Sequence, residues 1–209
     1  MDYTSAKKIA DRIVEIFTPH CEPGFIHIAG SVRREKYEVK DIEIVCMPKK
    51  EFIPTDLFGG GNNIVTPSFL EAVNTVSREI IKGKPDGRYM QTFIKGFLTF
   101  KLDLFLPQKA DYYRQLAIRT GSGDYSHKVI AEAWLKKGWC GTNDGLRKQM
   151  DCTLIRVGEK NVWKCMTQYP QLPPEWKSEE EFFEWLGIKW KEPKDREFIP
   201  YDWSGFVKQ

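Results

Sequence analysis

The chain has 209 residues, of which 41% are hydrophobic, 29% charged and 13% aromatic, with a net charge of +3. That composition suits a globular protein with a sizeable core and excludes disorder as the main state. No apolar run approaches the roughly 18 residues that a membrane helix needs, and residues 1–16 carry no signal-peptide pattern, so we expect a non-secreted, cytoplasmic protein with no membrane partner.

Five cysteines (Cys21, Cys46, Cys140, Cys152, Cys165) form an odd set without a CxxC pair. With no secretion signal they read as reduced thiols, mostly buried as small apolar groups. None of the three histidines is spaced near a cysteine pair, so a structural zinc site is not expected. Charge is uneven: residues 109–150 hold eight Lys/Arg against four Asp/Glu, and residues 151–209 hold nine against eleven. The basic middle third suits a polyanion or a solvated helix face equally.

Residues 4–17 predict a helix capped by Thr4 or Ser5, with Ile9, Ile13, Ile16 and Phe17 on its apolar face. Phe25 to Ala29 predicts a strand broken at Gly30-Ser31. Residues 41–47 (DIEIVCM) predict a second, alternating one. Residues 51–65, with Pro54 and Gly59-Gly60-Gly61, predict a flexible loop, and 66–82 a helix with Pro67 in its first turn. Residues 93–98 and 99–106 predict paired strands. Helices follow over 110–119 and 125–137, the latter stopped at Gly138. Short strands near 153–157 and 162–165 precede a helix over 178–186 opened by SEEE, which has a capping-box shape. A boundary near Pro107 divides a strand-bearing half, 1–108, from a more helical one, 109–209. His27 and the tryptophans, Trp134, Trp139, Trp176, Trp185 and Trp190 among them, read as packing groups, and His20 as solvated.

One set of residues carries chemistry. Asp41 and Glu43 are two apart on a strand and therefore share a face. Asp103 stands out in the apolar strand KLDLFL. If the two strands pair, three carboxylates converge, a donor set that suits Mg²⁺ together with substrate phosphate oxygens. Two such ions stabilise the attacking and leaving oxygens of a phosphoryl transfer. Upstream, Gly30-Ser31-Val32-Arg33-Arg34 offers backbone amides and a planar guanidinium to phosphate.

GSVRREKYEVKDIEIV resembles the nucleotidyltransferase signature of DNA polymerase family X, in which GS and Arg precede a DxD strand, and Lys101-Leu102-Asp103-Leu104 resembles that family's later acid motif. YYRQLAIRTGSGDYSHKVIAEAWLKKG, then GTNDGLR, is similar to the family's TGS turn, helix and LNEYGL-like segment, and SEEEFFEWLGIKWKEPKDRE to its closing segment. The resemblance covers about residues 4–48 and 92–200.

The resemblance implies a mixed α/β (α+β) fold, with a nucleotidyltransferase palm followed by a smaller thumb. It implies a monomeric DNA polymerase that takes dNTP and gapped or nicked DNA, uses two Mg²⁺ ions or Mn²⁺, and fills short gaps in repair. Asp41, Glu43 and Asp103 would be the catalytic, metal-binding acids. Gly30, Ser31, Arg34 and Lys40 would meet the triphosphate. Ile118 and the Thr120-Gly121-Ser122 turn would lie beside the sugar, and Ser126 and His127 beside the nascent base pair. His127, Lys128, Lys136, Lys137, Arg147 and Lys148 are the candidate DNA contacts. The chain departs from the family in three places. The second acid is Glu rather than Asp. Ile118-Arg119 stands for a Tyr-Phe pair, so weak exclusion of ribonucleotides is expected. Ser126 stands for Asn. No lyase domain or helix-hairpin-helix clamp precedes the first helix, which suggests a minimal palm-plus-thumb form. A nucleotidyltransferase for an RNA end or another acceptor, and a non-catalytic DNA-end binding module, are the competing readings.

Overall fold

The computed structural model describes residues 1–56 and 60–198. Helix α1 (Tyr3–Phe17) is capped by Asp2, whose carboxylate accepts the Ser5 amide at 2.9 Å. The cap therefore lies before Thr4 and Ser5, because an Asp side chain satisfies a first-turn N–H as well as a hydroxyl does. Strand β1 (Cys21–Ile28) starts earlier than predicted, and a bulge between Cys21 and Ile26 spans Gly24 at φ +80°. A short helix α2 (Gly30–Arg33) leads to β2 (Asp41–Pro48).

The expected loop over 51–65 is instead an exposed hairpin of β3 (Lys50–Pro54) and β4 (Gly61–Val65); Gly59 lies outside the described residues. The helix expected over 66–82 stops as α3 (Pro67–Val76), and Ser77–Gly83 becomes the edge strand β5. Ile80 continues the helical spacing of Phe69, Val73 and Val76, which explains the misreading, but the segment pairs with β6 (Tyr89–Ile94). Strand β7 is Lys101–Phe105. The predicted strands over 93–98 and 99–106 thus straddle the β6–β7 turn, where Gly96 takes φ +86°.

Helix α4 (Tyr112–Thr120) is followed by a continuous helical run: α5 (Gly123–Tyr125), a π-helical stretch Ser126–Ala131 and α6 (Glu132–Lys136). Two hairpins come next, β8 (Trp139–Thr142) with β9 (Gly145–Lys148) and β10 (Cys152–Val157) with β11 (Lys160–Cys165). The first was missed, although Asn143-Asp144-Gly145 carries a turn signal. In α7 (Glu179–Leu186), Ser178 accepts the Glu181 amide at 3.2 Å, and Glu181 accepts the Lys177 amide at 2.7 Å. That is a capping box whose return bond falls one residue early.

The main sheet has the order β1-β2-β7-β6-β5, with β2 and β7 parallel and the other neighbours antiparallel. It is a mixed sheet in a mixed α/β fold. Ile42, Ile44, Cys46, Leu102 and Leu104 point to the face covered by α1 and α3 and form the first core. The opposite face carries Asp41, Glu43 and Asp103. There Val45 and Phe105 pack under Tyr112 and Leu116 of α4, so α4 covers one end of this face. A second core joins α4, the 123–136 helical run, β8, β9 and α7. Its tryptophans pack edge to face: Trp176 and Trp139 each meet Trp185, at 5.2 and 5.6 Å. Among the described residues no helix is long and apolar enough to cross a membrane.

The two cores are joined through one buried carboxylate. Glu179 accepts both Arg33 N–H groups, at 3.0 and 2.8 Å, and both from Arg196, at 2.6 and 3.0 Å. Arg196 is fully buried, with Phe183 and Trp190 against its guanidinium. Burial pushes the Glu179 carboxyl up, but the hydrogen bonds and charges of Arg196 and Arg33 outweigh it and hold the carboxyl below its ordinary range. Replacing one member strands the others, a loss of about 3–5 kcal/mol for buried pairs. We therefore expect Glu179→Gln to lower urea-unfolding stability by about that much at neutral pH. The folded-state pKa is depressed, so the Glu179 contribution is complete above the ordinary glutamate pKa and vanishes as pH falls through the folded value. The gap between wild type and variant should accordingly be constant above about pH 5 and close in more acid solution; a pH-independent gap would contradict the clamp.

Candidate active site

Parallel pairing of β2 with β7 puts Glu43 opposite Asp103 and Asp41 opposite Lys101. The two carboxylates two residues apart in β2 thus meet the third from the neighbouring strand. Burial pushes the Glu43 carboxyl up to about 7, with the charges of Asp41 and then Asp103 adding to the effect. Asp41 is raised by burial and by Asp103, and Lys101 and Lys40 offset part of this. Asp103 is buried. It accepts Gln91 Nε2 at 2.9 and 3.2 Å and the Tyr89 hydroxyl. Burial and that bond to Asp103 raise the Tyr89 pKa. Arg119 lies 4.1 Å over the Phe105 ring; burial lowers its pKa, Glu43 offsets part of this, and its buried Nε has no partner.

The Gly30-Ser31 turn fits against these acids. Gly30 takes φ +60°, and a Cβ there would collide with Glu43 Oε2. Only glycine meets both demands. The Ala29 amide donates to the Glu43 carbonyl at 2.8 Å, which fixes the turn to the acid-bearing strand. Ser31 Oγ is buried without a partner, a polar atom that a ligand oxygen would satisfy.

Arg33 and Arg34 tie this turn to the second half. Arg33 donates to Thr120 Oγ1 at 2.7 Å. Arg34 donates to the carbonyls of Thr120 and Gly121 at 2.7 and 3.1 Å, and to Glu197 at 3.1 Å. Arg34, expected at the triphosphate, thus has its guanidinium committed to the TGS turn. Ser122 caps α5 by accepting the Tyr125 amide at 3.2 Å. Ser126 donates to the Ile118 carbonyl at 2.7 Å.

A cleft of about 960 Å³ opens on this side of the sheet; Tyr89 and Arg119 line it, whereas Asp41, Glu43 and Asp103 do not. Tyr89 and Phe105 line it from the sheet, Ile118, Arg119, Ser126 and His127 from the helices, and Asn143 and Arg147 from the β8–β9 hairpin. Arg88 bridges its rim by donating to the Asn143 carbonyl and pairing with Asp144 at 2.7 Å. Of the expected DNA contacts, His127 and Arg147 line the cleft. Lys128, Lys136, Lys137 and Lys148 do not. Lys128 pairs with Asp124 at 3.8 Å and Lys136 with Glu132 at 4.0 Å, while Lys137 and Lys148 lie over Trp185 and Trp139. Lys40 is exposed beside Asp41. Tyr89 and Gln91 were not assigned from the sequence, and Arg119, noted there only in place of an aromatic beside the sugar, was not expected next to the acids. The signal for Tyr89 and Gln91 was alternation in β6, which sets both on the face of Asp103.

The acids suit a hard divalent cation by chemistry: three carboxylates, only partly offset by Lys101, Lys40 and Arg119, and an orphaned hydroxyl nearby. In the conformation described, Asp103 turns to Tyr89 and Gln91 and the Glu43 carboxyl sits against Gly30. Among the described residues no three carboxyl, thiol or imidazole groups form a ready cage. Holding an ion therefore requires these side chains to rotate toward one another, which the adjacent strands permit.

Gly30→Ala should cost about 1–3 kcal/mol of stability in urea, from the left-handed backbone and the displaced Glu43 carboxylate. Glu43→Gln should go the other way. Without added metal at pH 8 it should be as stable as wild type or up to about 2 kcal/mol more so, because like-charge repulsion is relieved. A marked loss of stability in Glu43→Gln would mean that the carboxylate is a structural group.

Comparison with known proteins follows the second half of the chain. Residues 115–197 match the family model described as the DNA polymerase beta thumb. No curated protein matches the chain. The matched stretch runs from α4 through α7 to Glu197, which includes the TGS turn, Glu179 and Arg196, and it supports a relationship to the family X polymerases.

Proposed function

We propose that the chain is a nucleotidyltransferase of the DNA polymerase type, adding dNMP to a primer 3′-hydroxyl at short gaps in duplex DNA. The observation that carries the reading is the β2–β7 register, with Glu43 opposite Asp103 and Asp41 on the same face; Tyr89, which donates to Asp103, lines a cleft whose other wall belongs to a segment matching a polymerase thumb. Asp41, Glu43 and Asp103 would hold the divalent cations. When bound, the cations would neutralise charge on the triphosphate and lower the pKa of the attacking hydroxyl.

The other roles belong to the chain's own groups. Gln91 and Tyr89 orient Asp103 by hydrogen bonds to its carboxylate. Ser31 Oγ and the Gly30-Ser31 backbone are placed for phosphate oxygens beside Glu43. Ile118 and Arg119 form the wall where a nucleotide sugar would lie, and His127 and Arg147 are placed for phosphate or base contacts across the cleft. An acceptor other than DNA would use the same acids. The match of residues 115–197 to a DNA-polymerase subdomain favours DNA over it.

The test is primer extension on gapped DNA with Mg²⁺, with RNA and template-free controls. Asp103→Asn should reduce incorporation by about 10³-fold or more while DNA affinity stays within a few-fold. Full activity in that variant would remove Asp103 from the reaction, and extension of RNA alone would replace DNA as the acceptor. Because an aliphatic and an arginine side chain form the sugar wall, we expect less than roughly a thousandfold preference for dNTP over rNTP, read from steady-state kcat/KM.

A further inference from the structure

Three free thiols on three different strands meet outside the carboxylate cluster. Cys140 is on β8, Cys152 opens β10 and Cys165 closes β11. Burial and the neighbouring Cys140 and Cys165 thiols raise the Cys152 pKa. Spacing scattered through the sequence hid this, since no two of the three are close in the chain.

The hairpin register says more. Cys152 and Cys165 are direct cross-strand partners, and Val157 and Lys160 flank the two-residue turn. In an antiparallel ladder, hydrogen-bonded and non-hydrogen-bonded pairs alternate outward from the pair next to such a turn. Counting out from Val157–Lys160 makes Cys152–Cys165 a non-hydrogen-bonded pair. The next rung agrees, because the Met166 amide donates to the Asp151 carbonyl at 2.9 Å. Such pairs bring their Cα atoms to about 4.5 Å, inside the roughly 4.4–6.8 Å range that a disulfide spans. Both thiols are half-buried and reachable by a small reagent, whereas Cys140 is fully enclosed.

We propose that Cys152 and Cys165 form a reversible dithiol–disulfide pair, oxidised by low-molecular-weight disulfides, with Cys140 remaining reduced beside it. The Cys152 proton is held tightly, its pKa pushed up to about 12 by burial and the neighbouring thiols, so first attack falls to Cys165. Its sulfur attacks one sulfur of the reagent, breaks the reagent S–S bond and expels one thiolate. The Cys152 sulfur then attacks the mixed disulfide at Cys165 and expels the second. The two protein thiols lose two electrons and two protons, and the reagent becomes two thiols. The new bond staples the open end of the β10–β11 hairpin, which packs through β11 on β8, the strand leading into the hairpin that lines the cleft. This inference is independent of the polymerase reading.

The test uses the full chain incubated with glutathione disulfide, alkylated and digested with trypsin. Two of the five thiols should become unreactive, and peptide 149–156 should be found joined to peptide 165–177. Dithiothreitol should reverse the link, Cys140→Ser should keep it, and the thermal midpoint should rise by about 2–8 °C on oxidation. Linkage through Cys140, persistent glutathione adducts without a cross-link, or stoichiometric zinc held by the three thiols of the isolated protein would each overturn the proposal.

Discussion

Repulsion among Asp41, Glu43 and Asp103 is the constraint around which the first half of the chain is arranged. At a few ångströms, two like charges in a protein environment oppose each other by several kcal/mol. Nothing in an apolar sheet would place them there for stability alone. The parallel β2–β7 register fixes them together nonetheless, because Ile42, Ile44, Leu102 and Leu104 on the other face are locked into the core under α1 and α3. A slip of one residue would send those four side chains to solvent. The core thus enforces the charge cluster, and local groups reduce its cost. Tyr89 and Gln91 donate to Asp103, Lys101 flanks Asp41, and Arg119 faces Glu43.

The second half is fastened to this arrangement by arginines from the turn that touches the acids. Arg33 reaches Glu179 of α7, and Arg34 reaches the carbonyls of the Thr120-Gly121 turn. The residues flanking Ser31 are therefore in direct hydrogen-bond contact with both ends of the segment that matches a polymerase thumb. A shift of α7 or of the TGS turn must move the Gly30-Ser31 turn or break charge-assisted bonds. These two side chains add charge-assisted ties to the apolar packing of α4 on the sheet.

Much of this was legible in the sequence, for physical reasons. The i, i+2 spacing of Asp41 and Glu43 and the isolation of Asp103 among apolar neighbours are strand-period facts that do not depend on tertiary context. The position of Ser178 before three glutamates located α7 by capping alone. What failed were places where one local signal had two tertiary outcomes. Ile80 satisfied helical spacing yet lies in an edge strand, because backbone pairing with β6 was available. The apolar run around Phe97 and Leu98 looked like strand and forms a turn. Arg34 was read at the triphosphate because a guanidinium suits phosphate; nothing in the sequence signalled that the TGS-turn carbonyls and Glu197 also accept from it. Lys128 and Lys136, read as DNA contacts from their basic run, also pair with acids one helical turn away.

Arg119 shows where a departure from a familiar pattern carries its own chemistry. An aromatic side chain at this place would offer the cleft a neutral wall. Arginine keeps the flat surface by stacking on Phe105 and adds a fixed positive charge beside Glu43 and Asp103. That charge offsets part of the carboxylate repulsion while no cation is bound, and it opposes cations that approach the same acids. The Arg119 Nε is buried without a partner, while the residue itself lines the cleft. Three carboxylates and one guanidinium thus stand side by side on this face of the sheet, each partly offsetting the other's charge.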